Sequence, residues 1–155
     1  MNTTICFDMD GTIADLYGVQ NWLEMLQAEN PQPYRQAKPL LDIKKLNRQL
    51  KKLKAQGVRI AIISWCAKGA TNEYNKAIRQ AKKEWLKYHN FPADEIHIVK
   101  YGTPKQRTVK NDYLFLFDDD TQVRQKWERP NKNRRAFTEK EIFDIINQML
   151  RGVAI

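Results

Sequence analysis

Thr3-Thr4-Ile5-Cys6-Phe7-Asp8-Met9-Asp10-Gly11-Thr12 is the stretch whose reading decides the fold. Its first half, Thr3 to Phe7, is short and β-prone and stops abruptly at Asp8. Two later segments repeat the arrangement. Val58 to Ile63 is nearly all apolar and β-branched and is followed by Ser64. Tyr113 to Phe117 is continuously apolar and is followed by Asp118-Asp119-Asp120. Apolar runs without alternation are typical of strands buried on both faces, as in parallel sheets. Ile96 to Val99 reads as one further strand.

Helical periodicity fills the intervals. Asp15 to Ala28 reads as a helix, with Leu16, Val19, Trp22, Leu23 and Leu26 at helical spacing. Asn30 to Pro39 holds three prolines and reads as a connection. Asp42 caps a helix reaching to about Gln56, with Ile43, Leu46, Leu50 and Leu53 apolar and Gly57 ending it. Thr71 to His89 is a long helix with Ala77, Ile78, Ala81, Trp85 and Leu86 along one side. Thr121 to Glu128 and Thr138 to Arg151 are the last helices, the second opened by a Thr138/Glu141 capping box. Strands alternating with helices predict an α/β fold with a parallel sheet flanked by helices. The interval between the first two strands, about 40 residues, exceeds a minimal crossover. We expect one domain over residues 1–155, with residues 16–41 as a small helical cap inserted after the first strand.

Composition narrows the class. The chain is 42% hydrophobic, enough for a folded core, and no apolar run approaches the ~20 residues of a membrane span. Met1 to Asp10 contains acids and lacks a charged-then-apolar leader, so a cytoplasmic setting is expected. Cys6 and Cys66 have no metal-ligand spacing and fit a reducing compartment. The formal net charge of +9 favours anionic partners, including nucleic acid. Lys44-Lys45, Lys51-Lys52-Lys54 and Lys82-Lys83 lie in helical segments and read as solvated faces. Arg129 to Arg135, with Pro130 and two Asn, reads as an exposed basic loop.

Ligands of open parallel sheets bind outside the carboxyl ends of the strands. The residues there are Asp8-Met9-Asp10-Gly11-Thr12, Ser64, the loop Thr103-Pro104-Lys105, and Asp118-Asp119-Asp120. Five carboxylates meeting at one edge repel one another and call for a divalent cation. Oxygen ligands suit Mg²⁺. A carboxylate can attack phosphorus to give an aspartyl phosphate, a metal screens the repulsion between the two anions, and a lysine and a hydroxyl can hold the phosphate oxygens. A second carboxylate two residues along can protonate the leaving oxygen and then activate water. The structural alternatives are that Asp8 and Asp10 cap the next helix, and that Asp118 to Asp120 form an N-cap cluster. Cys66 reads as an idle thiol, and His89 and His97 as structural or surface residues. Tyr17, Trp22 and Tyr34 fit core packing or stacking on a base.

Phe7-Asp8-Met9-Asp10-Gly11-Thr12, Ile62-Ile63-Ser64, Lys105 and Phe117-Asp118-Asp119 resemble, in order, the four motifs of the haloacid dehalogenase-like (HAD) phosphatases. The resemblance implies a Rossmann-like core and bound Mg²⁺. It makes Asp8 the nucleophile and Asp10 the general acid and base. Ser64 and Lys105 become phosphate ligands, with Gly11 and Trp65 as neighbouring phosphate-binding candidates. Asp8, the Asp10 backbone carbonyl and Asp119 would hold the metal, with Asp118 a close outer partner. Lys100 competes for the Lys105 role; Lys105 is favoured because Gly102-Thr103-Pro104 suits a loop leading into a short helix. A narrower likeness, over residues 75–128, is to the 5′(3′)-deoxyribonucleotidase-like family, through Lys83-Glu84-Trp85-Leu86, Ile96 to Val99, Lys105 and Asp118-Asp119. The chain departs from it in a shorter insert after the first motif and in Asp120, where that family tends to have arginine.

The leading expectation is a Mg²⁺-dependent phosphomonoester hydrolase acting on a nucleotide or another small phosphorylated metabolite. The first alternative is a polynucleotide 3′-end phosphatase, which the basic surface would suit. The second is an inactive phosphate-binding regulatory module. The sequence carries no reading of oligomeric state.

Overall fold

The computed structural model describes residues 2–155. Five strands form one parallel sheet: β1 (Thr3–Phe7), β4 (Arg59–Trp65), β5 (Glu95–Val99), β6 (Tyr113–Phe117) and β7 (Arg134–Phe137), in the order β5-β4-β1-β6-β7. β1 is central. Phe7 is in register with Ile62 on one side and Phe117 on the other. Asp8, Ser64 and Asp118 therefore emerge close together at one sheet edge. The architecture is α/β with a parallel sheet, as the alternation of elements predicts, and Rossmann-like, as the family resemblance implies.

Pleating sends successive side chains to opposite faces. Ile5, Phe7, Ile60 and Ile62 point to one face, where α3 (Ile43–Ala55) contributes Leu46, Leu50 and Leu53 and α6 (Ile142–Leu150) contributes Ile142 and Ile146. Cys6, Ala61 and Ile63 point to the other, packing with Val123 and Trp127 of α5 (Thr121–Glu128). Each large apolar side chain so buried contributes roughly 1.5–3 kcal/mol. The fourth helix, α4 (Asn72–Tyr88), sends Trp85 and Leu86 into the first cluster and Ile78 and Ala81 into a third. No described helix is long and apolar enough to cross a membrane.

The helix expected over Asp15 to Ala28 is broken. Ala14–Asp15 forms a short strand, β2, antiparallel to β3 (Lys38–Pro39). Leu16–Gly18 is a single 3-10 turn whose start is fixed by Asp15 Oδ1 accepting the Gly18 N–H at 3.0 Å. Asn21 adopts a left-handed φ of 61° before α1 (Trp22–Gln27) begins. An Asx-type turn thus outcompetes helix propagation. α1 buries none of its residues, and Leu23 is 51% exposed, so this helix does not present the apolar face its spacing suggests.

The segment Asn30 to Pro39 contains α2 (Gln32–Gln36), with proline tolerated in its first turn where no N–H partner is needed. Leu16 and Tyr34 pack against Cys66, Tyr74, Ile78, Ala81 and Ile98, which seats this region on α4 beside the ends of β4 and β5. The expected basic loop Arg129 to Arg135 also differs: Arg134 and Arg135 belong to β7, an edge strand too polar to read as one. The Thr138/Glu141 capping box is formed.

Asp120 does not join the other acids. Its Oδ1 accepts the Val123 N–H at 3.1 Å and caps α5. Replacing Asp120 by Ala should lower stability by about 1 kcal/mol in urea unfolding, with divalent-metal binding retained; loss of metal binding in that variant would return Asp120 to the site.

Candidate active site

Asp8 follows β1 directly, and its N–H donates to Phe117 O at 3.0 Å, tying it to the end of β6. The chain then turns sharply: the N–H groups of Thr12, Ile13 and Ala14 all donate to Met9 O. Gly11 makes the turn at φ +79°, and a Cβ there would lie 2.4 Å from Asp119 Oδ2, so no other residue fits without displacing that carboxylate. The turn brings Thr12 beneath the acids. Its hydroxyl donates to Asp8 Oδ2 at 2.9 Å and accepts the Asp119 N–H at 3.2 Å.

Lys105 opens a 3-10 turn after Pro104 and is buried. Its ammonium donates to Asp8 Oδ1 at 2.9 Å and to Asp118 Oδ2 at 2.7 Å. Burial alone would lower its pKa, but the Asp8 and Asp118 charges outweigh that and hold it above the usual lysine range. Lys100, the competing lysine, is exposed. Asp118 is further held by its Oδ1 accepting the Asp120 N–H and by Arg124 Nη1 donating to its backbone carbonyl, both at 2.9 Å.

Asp8, Asp118 and Asp119 each offer an oxygen within 4.8 Å of the others, a cluster able to hold a metal ion. The carboxylates are mutually strained by charge. Burial, then the nearby Asp8, pushes Asp118 up to about 6, against the pull of Lys105. Burial and Asp8 together push Asp119 up to about 7. Three carboxylates with oxygens this close carry an excess of negative charge of the kind a hard divalent cation relieves.

The Asp10 side chain turns elsewhere. Its Oδ2 accepts from Lys82 Nζ at 2.8 Å, and the same ammonium donates to Ser64 Oγ at 2.7 Å and to Trp65 O at 2.8 Å. Lys82 lies 5.0 Å from the centroid of the Tyr34 ring and is 1% exposed. It is thus a core lysine joining two predicted site residues, not part of a solvated face. The signal was present in the sequence: Lys82 stands four residues after Ile78 and four before Leu86, on the buried side of α4. Burial raises the Asp10 pKa, opposed by Lys82 and reinforced by Asp8.

Ser64 and Trp65 are the last residues of β4, paired with Ile98 and Val99. Trp65 Nε1 donates to Thr103 O at 2.8 Å, which fixes the indole against Tyr101 with ring centroids 5.0 Å apart. Above the acids lies a cleft of about 570 Å³, walled by Tyr17, Trp22, Leu23, Leu26, Trp65 and Tyr101. Trp22 packs edge-on to Tyr17, whereas Tyr34 is buried. Cys66 is buried, and burial pushes its thiol up, as expected of an idle cysteine.

Replacing Lys82 by Met leaves the largely buried Asp10 carboxylate without its bonded cation. The expected cost is about 3–5 kcal/mol in urea unfolding. Adding Asp10→Asn should recover part of that loss, and strictly additive effects in this double-mutant cycle would show that the pair does not interact.

No family model matches the chain, and no curated protein matches it. Solved structures do. A chain of a Pnkp1/Rnl/Hen1 RNA repair complex superposes with a TM-score of 0.59 at 20% identity, over 88% of this chain and 42% of that one. A chain of another structure of the Pnkp1/Rnl/Hen1 complex superposes with a TM-score of 0.53 at 21% identity, over 88% and 45%. The chain spans less than half the length of these neighbours, and the likeness is one of fold.

Proposed function

We propose that this chain is a HAD-like, Mg²⁺-dependent phosphomonoester hydrolase that works through an aspartyl phosphate on Asp8, with the terminal phosphate of a polynucleotide as substrate. The observation that carries the chemistry is the Asp8 carboxylate itself, held at one oxygen by Lys105 and at the other by Thr12, with Asp118 and Asp119 alongside.

An Asp8 oxygen attacks phosphorus, and the bond from phosphorus to the ester oxygen breaks. Asp10, whose pKa is raised by burial, donates a proton to the departing oxygen. Asp10 then takes a proton from water, whose oxygen attacks the phosphorus; phosphate leaves and the Asp8 carboxylate is restored. Lys82 fixes the direction of Asp10 and holds the Ser64 hydroxyl at the same edge. The Lys105 ammonium and the Ser64 hydroxyl are the groups best suited to phosphate oxygens, with Gly11 and Trp65 beside them. Asp8, Asp119, the Asp10 carbonyl and, next to them, Asp118 would hold Mg²⁺. When bound, the ion supplies the positive charge that screens a carboxylate from a phosphate dianion.

The polynucleotide reading is supported by the likeness to chains of the RNA repair complex and by the net charge of +9. The sequence puts a nucleotide or small metabolite first; the comparisons lend more support to the alternative it puts second. Replacing Asp8 by Asn should reduce Mg²⁺-dependent phosphate release, from a 3′-phosphorylated oligonucleotide and from an aryl phosphate alike, by roughly 10⁴-fold or more. Turnover retained in this variant would refute the nucleophile. A faster turnover of free nucleoside monophosphates than of the oligonucleotide would restore the small-molecule reading.

A further inference from the structure

A second groove, of about 750 Å³, adjoins the cleft and shares Trp65, Tyr101, Lys105, Asp120 and Val123 with it. Its far wall is basic. Arg107 comes from the turn after Lys105, Lys126 from α5, Arg129 from the end of α5 and Arg134 from β7. Asp120 is the one acid lining it, and that carboxylate is engaged in capping α5. None of the four cations makes a salt bridge among the described residues, although Arg135, next to Arg134, approaches Glu128 at 3.9 Å. Arg134 lies over the Trp127 ring at 4.9 Å, and its buried Nη1 has no hydrogen-bond partner.

Unpaired cations are what a phosphodiester backbone matches, since each contact neutralises a phosphate and releases a counterion. A planar guanidinium that is stacked and preset keeps its donors aimed in one direction. The entrance supplies the other half of single-strand recognition: Tyr101 is 45% exposed and rests on an indole that is itself tied to Thr103. Such a platform stacks a base without reading its identity.

We propose that this groove is the track for a single-stranded nucleic acid whose phosphorylated end lies at Asp8, with the nearest base on Tyr101 and the following phosphates along Arg107, Lys126, Arg129 and Arg134. The proposal rests on the hydrolase reading for the position of the strand's end, and it adds which surface the strand takes. The track is sequence-tolerant, because its contacts are to charge and to aromatic faces.

The test uses the full chain and the double variant Lys126→Ala/Arg129→Ala, two exposed positions outside the reacting site. Substrates are 3′-phosphorylated single-stranded RNA and DNA of one to twelve nucleotides, with an aryl phosphate as reference. In the native protein KM should fall with length until the groove is filled. In the variant KM for the long oligonucleotide should rise about tenfold or more, and the slope of log affinity against log salt should shrink by about 1.4, from two lost single-strand phosphate contacts. Aryl phosphate turnover should not change. An unchanged KM and salt slope, or equal losses on both substrates, would overturn the track. Binding of a 3′-hydroxyl oligonucleotide, followed by fluorescence anisotropy, separates the two readings. Salt-sensitive binding that the double variant weakens sustains the track even if no phosphate is released by any substrate.

Discussion

The ammonium of Lys105, buried between Asp8 and Asp118, is the constraint on which the rest of the site depends. It lets two strand ends deliver carboxylates to one place. β1 ends in Asp8 and β6 ends in Asp118, and the Phe7–Phe117 register sets them side by side. Two buried carboxylates at that separation repel strongly unless a cation lies between them. Lys105 reaches that position because Pro104 ends the preceding loop in extended backbone and the following turn directs the side chain inward. The cost of burying the ammonium is offset because both of its partners are charged and hydrogen-bonded to it.

Lys82 solves the same problem on the other side. The edge holds four carboxylates, Asp8, Asp10, Asp118 and Asp119, against two ammoniums. Lys82 is committed to Asp10 and Lys105 to Asp8 and Asp118, so Asp119 has no cation of its own. Burial first, and then repulsion from the neighbouring Asp8 carboxylate, raises Asp118 to about 6 and Asp119 to about 7. Full ionisation would leave two negative charges uncompensated, which matches the charge of one divalent ion. The two lysines also divide the acids by task. Lys105 faces the carboxylate suited to attack, while Lys82 holds the carboxylate suited to carry a proton away from the metal-competent cluster.

The strand ends were legible because burial on both sheet faces forces unbroken apolar runs, and a run that stops at Asp8 or Asp118 marks its own boundary. β7 was not, because an edge strand can keep Arg134 and Arg135 half in solvent and so lacks the apolar signature. The region between β1 and α3 misled for another reason. Leu16, Leu23 and Leu26 repeat at helical spacing, but Asp15 and Asn21 divert the backbone, and all three leucines then line a cleft, with Leu16 and Leu26 also packed on the third apolar cluster and Leu23 left exposed. Lys82 was hidden by residue type. A lysine among other lysines on a helix suggests solvent, and only its position on the Ile78–Leu86 face indicates burial.

α5 connects the chemistry to the basic surface. Its first turn is built on the acidic loop: Asp120 caps it, Arg124 reaches back to the Asp118 carbonyl, and the positive end of the helix dipole faces the carboxylates. Val123 and Trp127 anchor the same helix in the core beneath β6. Its remaining face carries Lys126 towards the groove, and its end delivers Arg129 there. One element, eight residues long, therefore both holds the Asp118 backbone through Arg124 and carries two of the cations of the basic wall, Lys126 and Arg129. Lys126 and Arg129 are thus held at a distance from Asp118 that helix geometry sets, while Arg107 and Arg134 reach the same groove from the turn after Lys105 and from β7.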